Sequence, residues 1–144
     1  VTIAADFIAR LQAITPPIFA IVEGAADFST IDGVPTGMPA AYVLVEEEES
    51  GDNERATGPV LQRCEADIAV VIVTDNVSDV SGGAVASDVE TLKAAVRAAL
   101  IGFVPASAQG GDPITHIGGK LMGARRGTVW HRELFAAAYY IEEQ

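Results

Sequence analysis

Cysteine is almost missing from this chain: its 144 residues hold only Cys64, which excludes an intrachain disulfide framework and reads as an intracellular protein. That cysteine and two histidines, His116 and His131, lack the clustered spacing of a zinc site, so no structural metal and no cofactor are expected. Cations are scarce as well. Nine Lys and Arg stand against 20 Asp and Glu, a net charge of −11, which repels phosphate backbones and argues against a sequence-specific or general nucleic-acid partner. Long apolar runs are also lacking. No uncharged stretch approaches roughly 18 apolar residues without Pro or Gly, and the start VTIAADFIAR has no basic leader, so neither a membrane span nor a signal peptide is expected.

What remains is a globular composition, 49% hydrophobic and 20% charged, of a size suited to one domain over residues 1–144. Ile3, Phe7, Ile8, Leu11 and Ile14 fall on one helical stripe, which Pro16-Pro17 ends. Strands are expected at Ile18–Val22 and Ala41–Val45. The stretch RCEADIAVVIVT alternates, with Cys64, Ala66, Ile68, Val70 and Ile72 on one face and Arg63, Glu65 and Asp67 on the other. A capping box, Ser87-Asp88-Val89-Glu90, opens a second helix whose stripe is Val89, Leu92, Val96, Ala99 and Leu100; Gly102 and Pro105 close it. Extended segments follow at Pro113–Met122 and Val129–Ile141. The order implies an α+β fold: a mainly antiparallel sheet with two α-helices on one face, the other face left for a partner.

Between the second and third strands, EEEESGDNERATGP (Glu46 to Pro59) has no apolar side chain larger than Ala56, and it is expected to be a mobile acidic loop. Far from it in sequence, THIGGKLMGARRGTVW carries Lys120, Arg125 and Arg126, with Arg132 just beyond. It fails as a P-loop, because Ile114 stands where the first glycine belongs and Leu121 where Ser or Thr should bind magnesium. Its glycines read as bends and a hairpin tip. Cys64 and His131 do not suggest a nucleophile and base, since Cys64 shares parity with apolar neighbours; His116 and His131 read as strand residues held by ordinary hydrogen bonds. Glu46, Glu47, Glu48 and Glu49 lack the glycine-centred spacing of a calcium loop. No catalytic, cofactor or metal residue emerges, and an enzyme is not expected. The separated charges suggest a two-ended subunit, whose Lys120, Arg125, Arg126 and Arg132 meet Glu46 to Glu49 of the next copy; such head-to-tail contacts close into rings. A solvated turn is the plainer alternative.

The C-terminal third contains Ala99-Leu100-Ile101-Gly102-Phe103-Val104-Pro105, then Gly118-Gly119-Lys120-Leu121, then a strand from Trp130 to Phe135. In this it resembles the tail terminator proteins of tailed bacteriophages, the Mu-like Gp37 group, with Phe103 where Trp is common. The resemblance extends to the amphipathic N-terminal helix and the strand ending DIAVVIV. It implies a structural virion protein at the tail–neck junction, assembled in the bacterial cytoplasm. Its partners would be itself in a homohexameric ring, the tail tube protein, a neck or head-completion protein, and a sheath protein. A ferredoxin-like small-molecule-binding or regulatory domain would also fit the α+β pattern; a deep apolar pocket with converging polar groups would favour it.

Overall fold

The computed structural model describes residues 2–75, 88–108, 112–125 and 127–144. Helix α1, Ile3–Gln12, starts where the Thr2 hydroxyl accepts from the Ala5 amide at 3.1 Å, with Asp6 in its first turn. It buries Ile3, Phe7 and Leu11, as its stripe requires. Strand β1 is Ile21–Gly24, and the short helix α2, Ala25–Ser29, follows at once. Strands β2, Ala40–Asn53, and β3, Leu61–Asp75, come next. Helix α3, Val89–Leu100, precedes β4, Thr115–Arg125, and β5, Thr128–Glu142. Ser87, proposed above as the cap of α3, lies outside the described residues; Asp88 caps the helix, accepting from the Glu90 amide at 3.1 Å.

The five strands form one mixed sheet in the order β1-β2-β3-β5-β4. Only the β1–β2 pair is parallel, so the chain is α+β with a mainly antiparallel sheet, as the alternation implied. β3 and β5 pair continuously from Leu61↔Glu142 to Asp75↔Thr128. Their apolar parity, Ile68, Val70, Ile72 and Phe135, meets Phe7 and Leu11 of α1 and Leu92, Val96 and Leu100 of α3 in the main core. After α3, Gly102 turns with a φ of 84°, a conformation open to glycine without strain. Phe103 then packs against that core beneath the Arg10 guanidinium, which sits 4.3 Å from the ring centroid.

Two features depart from the sequence reading. The opposite sheet face is not left bare, because α2, absent from that reading, sets Phe28 against Tyr42 and Trp130 with ring centroids 5.4 and 6.2 Å away. There Ala40, Tyr42, Val71 and Val73 form a second, smaller core. A five-residue helix is too short to show an amphipathic period, which is why it escaped notice. The second departure is the acidic segment. Glu46 to Asn53 is not loop but the outer half of β2, paired with β3 down to Asn53↔Gln62. Only Glu54 to Val60 turns, and Arg55 fastens it by donating to Glu142 at 2.6 Å. A ladder needs backbone partners rather than apolar side chains, so this long arm forms without burying any of its own acids.

Candidate functional site

The sheet order carries the acidic arm and the basic hairpin to opposite margins, with β3 and β5 between them. Along the arm, a bulge between Val45 and Glu47 leaves Glu46 as an extra residue, which breaks the alternation and puts Glu46 and Glu48 on different faces. Glu46 accepts two hydrogen bonds from Arg132, one at 2.7 Å from Nε, and this lowers its pKa through the Arg132 bond while raising that of the arginine. Glu48 accepts from the Tyr139 hydroxyl, which raises the tyrosine pKa. Arg132 and Glu46 are thus brought together within one chain. Glu47 and Glu49 are not bonded in this way. They lie directly opposite Asp67 and Glu65 of β3, like charge against like charge.

At the other margin, Lys120 of β4 stands opposite Arg132 and Arg125 opposite Thr128. Both cations are exposed and without an ion pair among the described residues. Arg126 lies outside those residues. The hairpin turns at Gly127, φ 83°, as expected of its tip, whereas Gly118, Gly119 and Gly123 lie within β4, where the register shifts between His116 and Gly118 and between Leu121 and Gly123.

A cluster that sequence reasoning missed fixes this hairpin to the core. The Glu133 side chain is wholly buried, and four donors converge on it. Arg97 donates from Nε to Oε2 and from a terminal nitrogen to Oε1, each at 2.9 Å. His116 Nε2 lies 2.6 Å from Oε2 and His131 Nε2 lies 2.7 Å from Oε1. Burial opposes the ionised carboxyl, yet the bonds from Arg97, His131 and His116 outweigh it and hold the pKa below its ordinary value. The group ties α3, β4 and β5 together. Gly119 is what admits it: a Cβ there would sit 2.5 Å from Glu133 Oε1 and 3.2 Å from His131 Nε2. The signal was available, since Glu133 shares strand parity with Val129 and Phe135, and an acid on an apolar face asks for a cation.

With its four acceptor directions filled, Glu133 has no lone pair left for a ligand. Cys64 is buried on the core face, as its parity required. A surface cleft between the start of α1 and the arm is lined by Val45, Glu48, Ser107 and Tyr139, and there Glu48 and Tyr139 bond to each other. No group of His, Cys, Asp or Glu among the described residues is placed to hold a metal ion, and no helix there is long and apolar enough to cross a membrane. The separated charges are therefore the chemistry that this surface offers. No curated protein matches the chain in sequence. A family model described as phage tail terminator protein matches residues 4–144.

Proposed function

Because the chain belongs to the phage tail terminator family, a family of structural tail proteins, we propose that it is a virion subunit that closes into a ring, with six copies as the favoured number. This ring caps the tail tube at the tail–neck junction, ends tube polymerisation, and offers its free side to a neck or head-completion protein. The tube protein is its second partner and a sheath protein a third. The Gly118-Gly119-Lys120-Leu121 step and the Trp130-to-Phe135 strand support placement in the Mu-like Gp37 group.

The observation that supports a ring is the placement of opposite charges at opposite margins of one sheet. Contacts between two different surfaces are head-to-tail, and a head-to-tail contact closes when its rotation divides a full turn. Arg132 and Glu46 satisfy each other inside the subunit, so the contact between copies falls to Lys120, Arg125 and Arg126 on one side and to Glu47 and Glu49 on the other. A subunit with net charge −11 could not otherwise gather copies without strong self-repulsion.

Light scattering across a concentration series tests this reading, with electron microscopy of tail tubes grown in the subunit's presence. The expected results are a mass near six subunits and tubes that stop lengthening with a ring at one end. A monomer at every concentration, with tubes that grow unchecked, would refute it.

A further inference from the structure

We infer that the copies join strand to strand: β4 of one subunit adds along the outer edge of the acidic arm of β2 in the next, making one continuous sheet. This rests on the ring reading above and specifies its contact. Among the described residues both edges are open. β1 bonds β2 only from Ala40 to Val43, so among the described residues the stretch from Leu44 to Asn53 is paired on one side only, to β3, with register shifts between Val45 and Glu47 and between Ser50 and Asn53. Among the described residues β4, Thr115–Arg125, is bonded only to β5. Long open edges expose rows of unpaired N–H and C=O groups, which folded proteins usually blunt or cover. Neither of these segments contains proline. Ile117, Leu121 and Met122 of β4 are 50, 57 and 49% exposed, and the space where a Cβ of Gly118 or Gly123 would sit is open.

Length, direction and charge select a second copy as the occupant. The two open segments are nearly equal in length. β2 and β5 run one way, β3 and β4 the other, so a rotation about an axis along the strands brings β4 antiparallel to the neighbour's β2. Centred on one another in that sense, Lys120 falls opposite Glu48 and Glu49, and Arg125 points toward the Leu44 end. The arm has an unmet need for cations, because Glu47 faces Asp67 and Glu49 faces Glu65 across the β2–β3 ladder. Lys120, set against Arg132, has the converse need. Pairing the edges answers both and supplies main-chain hydrogen bonds, the usual source of affinity in strand addition.

Two measurements test the contact. Hydrogen exchange compared between dilute monomer and concentrated oligomer should show protection gained in Leu44–Asn53 and Thr115–Arg125. The variant Lys120→Glu/Arg125→Glu should weaken association by about tenfold or more, as should Glu47→Lys/Glu49→Lys, while the fourfold combination returns to within about threefold of the parent. Circular dichroism should show each monomer folded, since none of these side chains has an ion pair within the described subunit. An oligomer with both edges unprotected, or a fourfold variant no better than its parts, would overturn the strand pairing and leave the ring standing. Protection that arises only when tube protein is added would overturn the second copy as occupant. A chain that never associates would remove the ring reading itself.

Discussion

Replacing Glu133 with Gln keeps the shape of the side chain and removes its charge, so it isolates the worth of the buried cluster. The carboxylate takes four hydrogen bonds, two from Arg97 and one each from His116 and His131. An amide oxygen can accept two of them, and the amide nitrogen turns donors toward donors. One imidazole can switch tautomer and become an acceptor, which recovers part of the loss. Breaking a buried ion pair costs about 3–5 kcal/mol. Arg97, whose side chain is 38% exposed, can regain water on one side, so about 2–3 kcal/mol is the expected cost here. In urea at pH 7 the midpoint should fall accordingly, and thermal unfolding should come roughly 5–10 °C earlier. The sign with pH follows from the lowered pKa of Glu133. Its contribution is fully present above the ordinary carboxylate value and is lost as pH falls through the depressed folded-state value. The gap between parent and variant should therefore be widest near neutrality and close in acid. A loss under about 0.5 kcal/mol at pH 7, typical of a surface change, would show that the cluster does not hold the hairpin.

Gly119→Ala should also destabilise, by about 1–3 kcal/mol as an overpacked contact, because its Cβ would press on Glu133. In a Glu133→Ala background most of that penalty should vanish, and additive effects in denaturant would argue against the contact. The Arg132–Glu46 pair is partly exposed, at 27 and 32% of the two side chains. A double-mutant cycle should give a coupling of no more than about 1 kcal/mol, falling with salt; a coupling several times larger would mean that the pair is shielded from water. Amides of Glu46 to Asn53 in the isolated subunit should exchange faster than those of Ile68 to Val73, because the arm is bonded on one side and buries no core. Equal protection in the two segments would contradict this.

Elements with strong periodicity were legible from the residues alone. The stripe through Ile3, Phe7 and Leu11 and the alternation from Cys64 to Ile72 put the core where it lies, and Phe103 seats after α3 as the helix-ending sequence implied. Two kinds of element were not legible. Charge composition described the arm's side chains correctly but is silent on ladder partners, so Glu46 to Asn53 read as loop. The Glu133 cluster draws on residues from α3, β4 and β5, and no local spacing announces a meeting that depends on tertiary packing. Of the charged residues singled out beforehand, Arg132 and Glu46 meet inside the subunit, whereas Lys120, Arg125, Glu47 and Glu49 stay apart from one another.

The position of β5 between β3 and β4 has a consequence for the order of events during synthesis. Translation delivers β3 first, then α3 and β4, and only afterwards the strand that joins them. Until residues 128–142 emerge, β4 has no ladder to enter, and Glu133 is not yet present to collect Arg97 and His116. One flank of β3 stays unpaired over the same interval. Pairings so distant along the chain close slowly, which makes completion of the sheet a late event, reached only when the strand that joins β3 to β4 has been made.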